Sequence, residues 1–158
     1  MMAPVQPRVE SLREGTELFD VVLGWHWREW SHGEADADRD EWRDRLATRC
    51  TPDVIPFTLV AHLEGEPVGC VSLCHDDRDA RFADEGPWLS GMVVAGRARN
   101  LGVGRALLAA TADRARLLGA TQLWVWTTEA GPFYERCGYE PAHRKESVRD
   151  AAVLRRGL

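Results

Sequence analysis

The chain has 158 residues and a mass of 17.7 kDa, a length that predicts a single domain spanning 1–158. Hydrophobic residues at 44% and charged residues at 28% exclude a disordered chain. No run of eighteen apolar residues exists, and the start MMAPVQPRVESL has no apolar core behind a basic tip, so the expectation is a cytoplasmic protein with no membrane partner.

The net charge of −5 is unevenly spread: residues 1–87 carry 19 acidic and 9 basic side chains, residues 88–158 carry 6 and 11. A uniformly acidic chain would be a poor partner for polyanions, and no nucleic acid is expected. The split instead suits an anion at the basic half and a cation at the acidic one. Chance scatter of charge would give the same asymmetry.

Taken in chain order, residues 14–31 show a helical pattern, with Leu18, Val22 and Trp25 on one face and Phe19, Leu23 and Trp30 widening it. Gly33 breaks that helix. An acidic stretch, SHGEADADRD, follows, and Asp36 or Asp38 is placed to cap a second helix carrying Trp42 and Leu46. The alternation Phe57, Leu59, Ala61, Leu63, a stop at Glu64-Gly65-Glu66 and a second run from Val68 to Cys74 predict a hairpin. After the polar run HDDRDARFADEGP, residues 88–95 read as a strand. Leu107, Leu108, Thr111, Ala115 and Leu118 form the stripe of a third helix ended by Gly119. The run Leu123-Trp124-Val125-Trp126 within 122–127 predicts a central strand. A short helix near 133–136 and brief strands near 139–144 and 151–155 complete a mixed sheet, an α/β (α+β) architecture. The four cysteines, Cys50, Cys70, Cys74 and Cys137, form no metal-ligand spacing and read as reduced apolar fillers, so no metal is expected.

The segment VVAGRARNLGVGRALL, residues 93–108, carries the most chemistry. A strand ends, Arg99 follows, and Gly102 and Gly104 open a helix. Glycines there let the backbone approach a ligand, and the first helical amides have no internal acceptor, so the segment suits phosphate. Leu107 stands where a dinucleotide fingerprint needs its third glycine, and no lysine completes a Walker loop.

The spacing Arg99-Asn100-Leu101-Gly102-Val103-Gly104 resembles the coenzyme A pyrophosphate loop of the GNAT superfamily of N-acetyltransferases. PWLSGMVVA is similar to that family's fourth strand, GPFYERCGYEP at 131–141 to its FYEKxGF signature, and AAVLRRGL to its last strand. The resemblance implies a GNAT-like fold with antiparallel N-terminal strands, splayed strands 4 and 5, and helices on both faces. It also implies acetyl-CoA as co-substrate, held by the amides of Leu101, Gly102, Val103, Gly104 and Arg105 with Arg99 beside them. Asn100 and Leu101 depart from the glycine and basic residue often found there. Met92, Val93 and Val94 match the strand that pairs with the pantetheine arm, and Phe133 and Thr127 belong to the same cofactor set. Thr127 and Thr128 stand where the family often has asparagine.

Tyr134 matches the family's general acid, because a phenol stays protonated at neutral pH and can give its proton to a departing thiolate. Packing beside Phe133 is the bland alternative for it. No carboxylate lies in 88–94, so the base is sought at Glu29, on the Leu18/Val22/Trp25 face, or among Asp76, Asp77, Asp79 and Glu85. Trp25, Trp27, Trp30 and Trp42 flank the acidic stretch, and Trp25, Glu29 and Trp30 are the candidate acceptor residues. Aromatic walls with carboxylates suit a small cationic amine; a peptide amino terminus also fits. A coenzyme A-binding sensor without turnover, a structural partner domain and a homodimer are the readings that stand beside it.

Overall fold

The computed structural model describes residues 3–76, 82 and 84–158. Thr16 accepts a hydrogen bond from Phe19 N and so starts α1 (Glu17–Trp30), three residues later than the periodicity alone places it. Asp38 accepts from Asp40 N and caps α2 (Arg39–Ala47). The strands are β1 (Arg8–Ser11), β2 (Phe57–Leu63), β3 (Glu66–Cys74), β4 (Trp88–Val94), β5 (Gln122–Thr127), β6 (Glu140–Lys145) and β7 (Ala151–Gly157), with α3 (Val103–Leu117) and α4 (Gly131–Arg136) between them. The strand β1 is absent from the sequence reading because RVES carries one apolar residue in four and cannot show a period.

One seven-stranded sheet runs β1-β2-β3-β4-β5-β7-β6. All neighbouring pairs are antiparallel except β4 and β5, which are parallel. The expected mixed sheet is therefore present, with β5 in its interior as its fully apolar run requires.

Strand alternation sends side chains to two faces, and each face has its own helices. On one face Val103, Leu107 and Leu108 of α3 and Tyr134 of α4 pack with Leu59, Val71, Leu89 and Val125 of the sheet. On the other, Phe19, Val22 and Leu23 of α1 and Trp42 and Leu46 of α2 pack on Val60 and Cys70. A third cluster, Phe82, Trp88, Trp124 and Val153, extends that second face across β5 and β7.

The buried stripe of α1 is Phe19, Val22, Leu23 and His26. It is rotated by about one residue from the Leu18/Val22/Trp25 face read from the sequence. Bulky indoles at 25 and 27 sit half-buried at the sides of the contact, where their rings cover the core without entering it. This rotation turns Glu29 to the exposed side and brings His26 under the helix.

Candidate active site

The strands β4 and β5 register only at Trp88 and Trp124, reinforced by Trp124 N donating to Pro87 O at 2.9 Å. Beyond that point they diverge around a cavity of about 940 Å³. Leu89, Ser90, Gly91, Met92 and Val94 line one wall and Val125, Trp126 and Thr127 the other.

A bulge in β4 marks the divergence. Cys70 registers with Val93 and Ser72 with Ser90, so Gly91 and Met92 together stand opposite Val71. Gly91 has φ +61°, and a Cβ there would lie 2.9 Å from the His26 ring. Only glycine meets both conditions. His26 Nε2 is 3.1 Å from the Gly91 carbonyl and 3.6 Å from Cys70 Sγ. Burial, with help from the Arg49 charge, lowers the His26 pKa to about 4, so the imidazole is neutral at physiological pH.

One end of the cavity is the start of α3. Gly102 occupies the cap position at φ +80°, and no side chain caps the helix. The first-turn amides are therefore left for an outside acceptor, at the positive end of a 15-residue helix. Arg99, Asn100, Gly102, Val103, Gly104 and Arg105 line this end. Gly104 is needed because a Cβ would come 2.9 Å from Phe133 Cζ. These residues fit the phosphates of coenzyme A: exposed amide donors, fixed cations and no first-turn carboxylate to compete.

The family model described as Acetyltransferase (GNAT) family matches residues 19–139. The chain belongs to this family. It is thus an acyl-CoA-dependent N-acyltransferase, with acetyl-CoA as co-substrate.

Solved structures agree in fold. An aminoglycoside 6'-N-acetyltransferase complexed with coenzyme A superposes with TM-score 0.75 at 12% identity, over 95% of this chain and 96% of that one. An acetyltransferase of the GNAT family from Streptococcus pneumoniae gives 0.70 at 18%, over 97% and 99%. An N-acetylglutamate synthase from Neisseria gonorrhoeae, complexed with coenzyme A and N-acetyl-glutamate, gives 0.69 at 19% over 96% of this chain. This chain spans about a third of that synthase, 35% of its length. No curated protein matches the sequence.

Within this GNAT domain, Tyr134 is 6% exposed on α4 and lines the cavity. Its hydroxyl donates to Met92 Sδ at 3.4 Å. Burial, with the nearby Cys137, raises its pKa to about 12. Phe133 meets the Tyr134 ring edge-on at 5.2 Å. The Thr127 hydroxyl accepts from Ala130 N at 2.9 Å, so it caps the turn into α4 while lining the cavity.

Other expected residues fall elsewhere. For Val93 and Leu101 the expected group is backbone; the Val93 side chain packs against the second core cluster on the α1 side and the Leu101 side chain is 56% exposed outside the lining. Trp30 lines the cavity; Trp25 and Glu29 do not. Of the loop carboxylates, Asp76 is exposed and Glu85 accepts from His143 Nε2 at 3.0 Å. Asp77 and Asp79 lie outside the described residues.

The acidic wall expected over the acceptor is also displaced. Glu34 accepts from Trp42 Nε1 at 3.1 Å and pairs with Arg45 at 3.4 Å, and no Asp or Glu appears among the described lining residues. Five arginines do: Arg45, Arg49, Arg99, Arg105 and Arg136. Sequence reasoning missed His26, Arg49, Ser90, Gly91 and Trp126. The one available signal was a histidine three residues after Leu23 on an apolar stripe.

Proposed function

We propose that the chain transfers an acetyl group from acetyl-CoA to a primary amine by direct attack in a ternary complex. The observation that carries this reading is the open seam between β4 and β5, which joins an uncapped α3 terminus to a buried phenol across the Gly91 bulge. Acetyl-CoA supplies the acyl thioester. The chain's own groups supply the rest.

The α3 amides with Arg99 and Arg105 hold the phosphate end, and the unpaired backbone of β4 lies along the seam. A backbone N–H at the Gly91–Met92 bulge serves as donor to the negative charge that develops on the acyl oxygen. Such a preorganised donor contributes roughly 10² to 10³ in rate. Tyr134 holds the proton for the thiolate. With its pKa raised to about 12 the phenol is protonated across the working range, and a thiolate is a stronger acceptor than the Met92 thioether it now faces.

The amine must arrive unprotonated. Glu29 lies outside the cavity lining, and burial with the Arg49 charge makes His26, with its pKa lowered to about 4, too weak a base to take the proton, which goes to water.

The test is Tyr134→Phe, assayed by thiol release from acetyl-CoA alongside calorimetric binding of acetyl-CoA. Turnover falls by roughly tenfold to 10³-fold with affinity nearly unchanged. An unchanged turnover number removes Tyr134 from the mechanism.

A further inference from the structure

Arg49 is a cation at the α1–α2 side of the cavity with no counter-charge among the described residues. It follows the C-terminus of α2, where its N–H donates to Leu46 O at 2.9 Å. Its Nη1 is 3.4 Å from Ser90 Oγ on β4 and 3.8 Å from the point a Cβ on Gly91 would occupy, so the guanidinium rests beside the bulge. Its neighbours on α2 are paired: Arg43 with Asp20 at 3.1 Å and Arg45 with Glu34 at 3.4 Å. Among the described residues no carboxylate pairs with Arg49, and none lines the cavity.

A half-buried guanidinium that faces only a hydroxyl has lost water without gaining an anion. Its planar fork is shaped for a carboxylate. The coenzyme does not fill this role in the site described above, because its phosphates have the α3 amides, Arg99 and Arg105 on the opposite side of the sheet. A polycation would meet Arg49 with like charge.

We propose that Arg49 recognises a carboxylate on the acceptor, so that the substrate class is a primary amine bearing a carboxylate near its nitrogen, the amino-acid class. This rests on the acetyl transfer proposed above and specifies its acceptor. Fixing the carboxylate at Arg49 sets the adjacent amine at the Gly91 bulge, where attack occurs. Burial first and the Arg49 charge second lower the His26 pKa, and that same charge beside the bulge disfavours the ammonium form of the bound amine. Trp30, Trp42 and Leu46, which line the cavity beside Arg49, offer an apolar surface to the body of the acceptor.

The experiment compares L-leucine, L-methionine and L-phenylalanine with their carboxamides, and adds spermidine and tobramycin as polycations. Thiol release from acetyl-CoA is followed with wild type, Arg49→Gln and Arg49→Lys, and acetyl-CoA binding is measured by calorimetry for each. The amide's less basic amine is more often unprotonated, so chemistry alone favours the amide. Wild type instead prefers the acids in kcat/KM by about tenfold to 10²-fold. Arg49→Gln abolishes that preference through KM, Arg49→Lys keeps part of it, and acetyl-CoA affinity is the same in all three. Amides or polycations turned over ahead of the acids, a preference that survives Arg49→Gln, or a loss of acetyl-CoA affinity in Arg49→Gln each overturns the carboxylate site and leaves acetyl transfer standing. Acetyl-CoA binding without turnover of any compound overturns both readings.

Discussion

The two ends of the cavity are built by opposite means. At the α3 end the groups proposed to act are backbone amides within one stretch, 99–105, and the side chains there set conformation and charge. At the α1–α2 end the cavity is lined by side chains such as those of His26, Arg49, Ser90 and Trp126, drawn from segments up to a hundred residues apart. A site made of consecutive amides survives as a motif, because glycine spacing records the turn that exposes them. A site made of scattered side chains has no motif and exists only after the sheet has formed.

Several outcomes would break or sharpen that contrast. The largest concerns His26. The unfolded chain binds a proton at His26 near pH 6.5, whereas the buried ring binds one only near pH 4. Between these values the unfolded state holds more protons, so stability is complete above pH 6.5 and falls as pH drops through the window, by roughly 3 kcal/mol in all. Urea unfolding at several pH values should show this slope in wild type and not in His26→Gln. A slope of equal size in the variant would assign the acid sensitivity to other groups.

At the other end, Gly104→Val drives a side chain into Phe133 and Met92, whose atoms would lie 2.9 and 3.3 Å from the new Cβ. Overpacking of that kind costs about 1–3 kcal/mol of stability, and the backbone shift that relieves it moves the α3 amides, so acetyl-CoA affinity should fall by about tenfold or more with the acceptor KM little changed. Calorimetry and steady-state kinetics together check it. A selective rise in acceptor KM would mean that the two ends are not separable.

The smallest effect is expected at Glu29. It is exposed and outside the cavity lining, so Glu29→Gln should leave kcat/KM and its pH profile within about twofold. A pH profile displaced in this variant would restore Glu29 to the proton path.

Much of the scaffold was legible because its signals are local. Alternation from Phe57 to Leu63 marked β2, Gly119 ended the third helix region, and Gly102 and Gly104 marked the start of α3. The strand β1 was not, since four residues at a sheet edge have no period to display. The stripe of α1 was misjudged by one residue, and that small rotation exchanged Glu29 for His26 at the cavity. Hydrophobicity alone ranks a tryptophan as core, but a sheet surface admits Val22 and Leu23 more closely than an indole, so packing chose the angle.

Charge was misleading for a related reason. The first 87 residues are strongly acidic, yet among the described residues the formal charges they bring to the cavity are Arg45 and Arg49, because Glu34 turns to Trp42 and Arg45 and the other carboxylates of α1 and α2 stay outside the lining. The sequence by itself determined the order of elements from α1 onward, the glycine-marked start of α3 and the family, all of which depend on contacts between near neighbours in the chain. The tertiary structure alone decided which side chains face the acceptor, because that choice depends on a helix rotation, a bulge at Gly91 and a seam between two strands that no local pattern encodes.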